Sequence, residues 1–302
     1  MPLSINYDSS RELRIFLEEQ GLGMRKKYGQ NFLIDREARG RILDALEFQK
    51  GDRLWEIGPG LGAMTRGLLD QGARVRAFEI DPGFIRILKE LWGERENFIL
   101  IEGDVLKTWP SGDGGEAYLL GNLPYTIGAA LLGDLIEKKR FFKRMVITIQ
   151  KEVARRMTAG PGNGDYTSLS VLCASAYTIR PVQVLHPSSF YPAPHVNSQA
   201  LRFDLRTDTD PSAYPVFFYS LVRSLFSSRR KTVKNNLSGF AASLTEGGSR
   251  DAAGGSGKKQ IREITGEVLT ASRISPERRA ETLSLEDFLT LARTLEEYYG
   301  HY

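Results

Sequence analysis

A glycine-rich turn set between a strand pattern and a helix pattern constrains this chain more than any other feature. The run is Glu56-Ile57-Gly58-Pro59-Gly60-Leu61-Gly62-Ala63, preceded by the strand-like stretch 53–57 and followed by a helical stretch to about Leu69. Alternate glycines allow a sharp turn and a close approach of backbone to ligand, and the helix N-terminus behind them favours anionic groups. The spacing Gly58-x-Gly60-x-x-Ala63 also satisfies the dinucleotide fingerprint, and Glu79 follows at about the twenty-residue interval that a ribose-binding acid requires. On these residues alone, both a nicotinamide dinucleotide and S-adenosyl-L-methionine remain open.

Two further features separate those cofactors. A second acid, Asp104 in Gly103-Asp104-Val105, follows the third strand pattern. Carboxylates after the second and third strands suit ribose hydroxyls and an adenine amine, because an ionised carboxylate is an acceptor facing donors. The fourth strand then ends in Gly121-Asn122-Leu123-Pro124-Tyr125, which hydride transfer does not need. Asn-Leu-Pro-Tyr has a logic for methylating an exocyclic amine, whose lone pair is delocalised into its ring. Asn122 offers a side-chain carbonyl to one amine hydrogen. Pro124 biases Leu123 toward extended geometry and aims the Leu123 carbonyl at the other. Tyr125 supplies a π-face for an extruded base. No general base is needed, since the nitrogen becomes acidic once alkylated, and catalysis rests on positioning and electrostatics.

The surrounding pattern predicts an α/β fold. Strand-like stretches at 53–57, 73–80, 98–102, 117–120 and 145–149 alternate with helix-like stretches, including 84–91, 127–137 and 151–157, which implies a parallel, doubly wound sheet. A polar stretch at 207–215 reads as a linker. Beyond it only helical periodicity remains, at 216–237, 261–269 and 285–297, interrupted by a Gly/Ser/Ala-rich loop at 245–259. The expected domains are therefore 1–206, with an N-terminal extension 1–24 that has no reading, and a smaller all-helical domain 207–302. A chain of 302 residues with 41% apolar and 26% charged content suits two ordinary globular domains.

Several function classes are excluded. Cys173 is the one cysteine, which rules out an internal disulfide framework and a multi-cysteine zinc site; in an apolar run it reads as a buried small hydrophobe. His186, His195 and His301 fall in no His-Glu-x-x-His, and neither a Gly-x-Ser-x-Gly elbow nor a P-loop occurs. No metal site is expected. The apolar runs are too short for a membrane helix, and no signal peptide is apparent, so a soluble cytoplasmic monomer is expected.

Net charge is only +4, but the basic residues cluster. Lys138, Lys139, Arg140, Lys143 and Arg144 form one run, Arg25-Lys26-Lys27 a second, and Arg223, Arg229, Arg230, Lys231 and Lys234 a third. Each could be a solvated face; together they point to a phosphate backbone as partner. In the third, helical spacing turns Leu221, Leu225 and Phe226 to the core and Arg229, Arg230 and Lys234 outward.

With these residues in view, the chain resembles the ribosomal RNA adenine dimethyltransferase family of the kasugamycin-sensitivity type. The likeness runs from Lys27-Tyr28-Gly29-Gln30-Asn31-Phe32-Leu33 through the glycine turn, Glu79, Gly103-Asp104-Val105 and Asn122–Tyr125. It continues through Gln150-Lys151-Glu152-Val153-Ala154, Phe190-Tyr191-Pro192-Ala193-Pro194 and the stretch from Arg229 to Leu237. The resemblance implies a seven-stranded, Rossmann-like class I methyltransferase sheet with a helical C-terminal domain. It implies S-adenosyl-L-methionine as cofactor and dimethylation of two adjacent adenosines near the 3′ end of small-subunit rRNA, in ribosome biogenesis. By position it implies that Asn31 and Leu33 close over the methionine end of the cofactor, with Gly58 and Gly60 in the turn. Glu79 would hold the ribose, Asp104 the adenine amine, and Asn122 would bridge cofactor and target. Phe190 would be a second aromatic face opposite Tyr125. His195 and Asn197 depart from the family's usual lysine and aspartate. The alternatives are a large-subunit rRNA adenine methylase, which the C-terminal domain disfavours, and an assembly factor in which rRNA binding dominates.

Overall fold

The computed structural model describes residues 3–23, 30–109, 115–123, 127–246 and 255–299. The chain divides into two compact units, Met1–Ala154 with Tyr177–Leu205, and Arg155–Ala176 with Arg206–Tyr302. The expected boundary after 206 lies one residue from the observed one. The stretch 155–176 was expected in the first domain; it belongs to the helical unit, an assignment made by packing and not by sequence order.

The first unit contains α1 (Ser10–Glu19), β1 (Phe32–Leu33), α2 (Arg36–Asp44), β2 (Arg53–Ile57), α3 (Ala63–Asp70), β3 (Arg74–Glu79), α4 (Pro82–Trp92), β4 (Phe98–Glu102), α5 (Val105–Thr108), β5 (Tyr118–Asn122), α6 (Gly128–Glu137) and β6 (Arg144–Gln150). After α7 (Lys151–Thr158) and α8 (Ser168–Ala176) the chain returns to it as β7 (Tyr177–Leu185), β8 (Phe190–Tyr191) and β9 (Ser198–Leu205). Seven strands form one sheet in the order β4-β3-β2-β5-β6-β9-β7. The five from β4 to β6 are parallel, while β9 runs antiparallel to both β6 and β7. The expectation of an all-parallel sheet is thus corrected by two strands that periodicity missed. The buried strands β5 and β6 read as near-continuous apolar runs, as strands covered on both faces do. The edge strand β7 is mostly exposed or half-exposed, with Thr178, Arg180, Pro181 and Gln183 along it, so no apolar alternation marks it.

Local chemistry sets the helix starts that matter for the site. Asp81 caps α4 by accepting from the Gly83 amide at 2.8 Å, and Pro82 takes the first helical position, where its missing N–H costs nothing. Gly62 precedes α3 in the left-handed region at φ +88°, and a Cβ there would collide with the Trp92 ring. Gly62→Ala is expected to lower stability by about 1–3 kcal/mol from strain and overlap together. A urea midpoint equal to the parent's would show that Trp92 yields at no cost.

The helical unit holds α8, α9 (Phe218–Phe226), α10 (Val233–Glu246), α11 (Gly255–Ala271) and α12 (Leu285–Tyr299). The periodicity at 216–237 is not one helix. It breaks at 227–232, where the Asn236 amide donates to the Leu225 carbonyl at 2.9 Å and the Ser228 carbonyl at 3.2 Å, satisfying acceptors at the end of α9. Leu221 and Leu225 are fully buried, and Phe226 stacks on Phe288 at 5.9 Å. The expected loop at 245–259 is shorter at both ends, since α10 runs to Glu246 and α11 begins at Gly255; its middle lies outside the described residues. Cys173 is buried in α8, which pushes its thiol up to about 12 and leaves it an inert core group.

Candidate functional site

In an open parallel sheet, ligands bind beyond the carboxyl ends of the strands where the strand order reverses. Here that point lies between β2 and β5, and a pocket opens there. Its walls include Asn31 and Leu33, the glycine turn, Glu56, Glu79, Asp104 and Asn122. Residues from five separate stretches of sequence, all but one of them a strand end, therefore meet as expected. Gly58 and Gly60 have φ of +68° and +60°, backbone that only glycine adopts without strain. The Phe32 ring lies over the turn, so close that a Cβ on Gly60 would stand 3.1 Å from its Cε1.

Glu79 is buried at 5% exposure, and its carboxylate accepts three backbone amides: Gly60 at 3.0 Å on Oε2, and Ile80 at 2.9 Å and Asp81 at 2.8 Å on Oε1. Burial pushes its pKa up against the pull of those bonds. The amides orient the carboxylate and leave acceptor capacity on Oε2 facing the pocket, which suits a hydroxyl donor. Asp104 caps α5 through Oδ1, accepting from Leu106 at 3.0 Å. Its Oδ2 accepts no bond among the described residues, so one carboxylate both starts a helix and offers a free acceptor to the pocket.

Several wall residues escaped sequence reasoning, and two of them are titratable. Glu56, 3% exposed near the end of β2, accepts from the Thr65 hydroxyl at 2.6 Å and pairs with no cation among the described residues. Burial first, and repulsion from Glu79 second, raise its pKa to about 7. The only signal was its place just before the glycine turn. Tyr7 is the other; it lies in the 1–24 segment, and its hydroxyl donates to the Leu61 carbonyl at 3.0 Å inside the turn.

Asn122 closes the opposite side. Its Nδ2 donates to the Asn31 carbonyl at 3.0 Å. A carbonyl can only accept, so the amide nitrogen must face it, and Oδ1 is the atom left for the pocket. That is the acceptor an amine substrate needs. Leu123 is buried at 3% exposure; its side chain packs so tightly on Gly121 that a Cβ there would stand 2.7 Å from Cδ2. Pro124 and Tyr125 lie outside the described residues. Phe190 corrects an expectation. It is only 4% exposed, pairs with Leu33 across β1 and β8, and packs in the core with Leu185 and Ala200. It anchors β1, which carries Leu33, and presents no open ring face.

The basic runs divide sharply. In the 138–144 run, Lys138 pairs with Asp134 at 2.9 Å, Arg140 is buried against Glu116 at 3.1 Å, Lys143 donates to the Tyr118 hydroxyl at 3.4 Å, and Arg144 bridges Glu47 and Asp204. Its charges are largely consumed within the unit, which corrects the reading of a phosphate-binding surface there. Arg25, Lys26 and Lys27 lie outside the described residues. In the third run Arg223, Arg229, Arg230, Lys231 and Lys234 are all exposed, including the three expected to face outward, Arg229, Arg230 and Lys234. Arg229, Arg230 and Lys231 sit in the turn between α9 and α10, however, and Arg229 is engaged by Glu281 at 3.1 Å and the Gly164 carbonyl at 3.0 Å. Among the described residues no group of His, Cys, Asp and Glu could hold a metal ion.

Comparison with known proteins agrees with this geometry. The sequence matches the family described as ribosomal RNA adenine dimethylase over residues 21–292. It is 43% identical over 292 residues to a ribosomal RNA small subunit methyltransferase A from Treponema denticola, covering 95% of this chain and 94% of that relative. A crystal structure of a dimethyladenosine transferase from Plasmodium falciparum superimposes with a TM-score of 0.71 at 26% identity, covering 88% of this chain and 97% of that one. A 23S rRNA methyltransferase shares the fold, with a TM-score of 0.58 at 22% identity over 87% of this chain and 99% of that one. The family match spans both units, and with it the chain belongs to the ribosomal RNA adenine dimethylases.

Proposed function

We propose that the protein dimethylates the exocyclic amines of two adjacent adenosines near the 3′ end of small-subunit rRNA, using S-adenosyl-L-methionine, within the assembling subunit. The observation that carries this reading is the Asn122 amide, held by the Asn31 carbonyl so that Oδ1 faces a pocket also lined by Glu79 and Asp104. The cofactor supplies an electrophilic methyl group on a sulfonium. Glu79 and Asp104 bind and orient its ribose and adenine through acceptor oxygens, Asn31 and Leu33 border its methionine end, and Gly58 and Gly60 let the backbone come close. Asn122 accepts one amine hydrogen, with the Leu123 carbonyl as second acceptor, so the nitrogen lone pair points along the line of attack. The new N–C bond would take that lone pair as the S–CH3 bond breaks, whose electrons would stay on sulfur as a neutral thioether leaving group, and the amine proton would leave to solvent. Pro124 and Tyr125, outside the described residues, are assigned from the sequence of the tetrapeptide and the resemblance.

Transfer of labelled methyl groups to small subunits lacking the modification, followed by mapping of the modified bases, tests the assignment. Two methyls on each of two neighbouring adenosines are expected. Binding without transfer would make this an assembly factor, and label in the large subunit would move it to the rival activity.

Asp104→Ala is expected to weaken S-adenosyl-L-methionine binding by about 1–3 kcal/mol, because a buried ligand donor loses its acceptor. Unchanged affinity in calorimetry would remove Asp104 from the adenine site.

Phosphate contacts act by counterion release, so each contributes about 0.9 to the log–log salt slope on a duplex. Arg230 and Lys234 are exposed and carry no ion pair among the described residues. Arg230→Ala with Lys234→Ala is expected to weaken subunit binding and flatten the slope by about one to two. Arg229→Ala alone should change it far less, its charge being already offset by Glu281. Filter binding across salt concentrations checks both, and a parental slope in the double variant would place the RNA elsewhere.

A further inference from the structure

Residues 3–22 carry no motif, yet they are bound to each segment that walls one edge of the cofactor pocket. Ile5, Tyr7, Leu13 and Leu17 are buried together with Leu61, Phe84 and Ile87. Leu61 stands inside the glycine turn, Phe84 lies in the first turn of α4 just after Glu79, and Tyr7 and Leu13 themselves line the pocket. Polar ties add to this apolar seam. The Tyr7 hydroxyl donates to the Leu61 carbonyl at 3.0 Å, and Arg86 of α4 donates to the Gln20 carbonyl at 3.0 Å. Leu22 packs on Gly83 so closely that a Cβ there would collide with it.

One side chain joins this segment to β1. Arg39 of α2, only 9% exposed, donates to the Leu33 carbonyl at 2.7 Å and the Tyr7 carbonyl at 3.4 Å, and it also pairs with Asp8. A guanidinium has several donors in a fixed planar fork, so it can hold separate acceptors at once, as a lysine ammonium cannot in the same geometry. Leu33 is the end of the strand that folds Phe32 over Gly60. Arg39 thus ties the segment that packs on the glycine turn to the strand that covers the turn.

We propose that residues 3–22 clamp the cofactor pocket and that Arg39 is the positioning residue that latches the clamp. Arg39 touches neither the target amine nor RNA; it acts through Leu33 and Tyr7. A cofactor leaving the pocket must loosen β1 from the glycine turn, and the latch resists that separation. The latch therefore governs cofactor residence and leaves the transfer step to Asn122. This rests on reading the pocket as the S-adenosyl-L-methionine site.

The test uses the full-length protein and radiolabelled S-adenosyl-L-methionine, chased with unlabelled cofactor. Arg39→Met is expected to raise the dissociation rate at least tenfold, Tyr7→Phe several-fold, and Arg39→Lys to an intermediate extent. The KM for cofactor should rise in parallel while kcat changes much less, a split that general destabilisation does not produce. Should Arg39→Met fail to fold, Tyr7→Phe, which keeps its ring in the apolar seam, carries the test. Parental dissociation rates in folded Arg39→Met and Tyr7→Phe would overturn the clamp. If Asp104→Ala still weakens binding in that case, the cofactor reading survives. A parent protein that binds no S-adenosyl-L-methionine would overturn both.

Discussion

Asn122→Ala is expected to slow methyl transfer by a factor on the order of 10²–10³, the range seen when one preorganised polar contact to a reacting group is removed. The loss should appear in the single-turnover rate at near-saturating RNA and cofactor, with RNA affinity little changed, because the contact strengthens as the nitrogen becomes pyramidal. Geometry also predicts that Asn122→Asp does not rescue. With the Nδ2 donor gone, a carboxylate oxygen would face the Asn31 carbonyl now held at 3.0 Å, acceptor against acceptor, and the side chain would rotate away. A single-turnover rate equal to the parent's in Asn122→Ala would remove the amide from the reaction. Full activity in Asn122→Asp would show that the Asn31 contact does not orient it.

Stability of the cofactor-free protein is expected to fall between mildly acidic and mildly alkaline pH, by on the order of 3 kcal/mol. The cause is Glu56, which keeps its proton to about pH 7 when folded, while an unfolded chain releases it near the ordinary glutamate value of 4.5. Between those values the folded state binds more protons than the unfolded state. Stability from this group is therefore fully present below the unfolded value and is lost as pH rises through the folded one. Glu79, shifted upward by burial, adds in the same direction. The carboxylates shifted downward, Glu47, Asp204 and Asp208, act at the acid end and leave this window untouched. Urea unfolding at both ends of the window measures the effect. Glu56→Gln, which still accepts from the Thr65 hydroxyl, should remove most of the pH dependence. An equally steep dependence in Glu56→Gln would assign it to other groups.

The pairing of basic side chains shows where sequence reasoning loses its grip. Two runs of similar composition looked equivalent. The run at 138–144 is spent on Asp134, Glu116, Glu47 and Asp204, while the run at 223–234 keeps Arg230 and Lys234 exposed. Those partners are brought in by neighbouring strands and loops, and a linear charge count does not see them. Phe190 failed for the same reason. An aromatic beside a Pro-x-Pro stretch can be a platform or a core residue, and only its packing with Leu33 and Leu185 decided for the core.

What was readable from the residues alone is what local chemistry encodes. The glycine turn needs positive φ at Gly58, Gly60 and Gly62, and no other residue type meets that cheaply. Buried parallel strands declare themselves as apolar runs, and the acids at the end of β3 and just after β4 stand at the sheet's ligand-binding edge because every parallel strand ends there. Tertiary structure decided whatever depends on residues far apart in sequence. The antiparallel strands β7 and β9, the pKa of Glu56, the hold of residues 3–22 on the pocket, and the orientation of Asn122 all belong to that class. The Asn122 contact spans 91 positions: a carbonyl brought across the pocket by folding turns an amide whose two ends the sequence leaves equivalent.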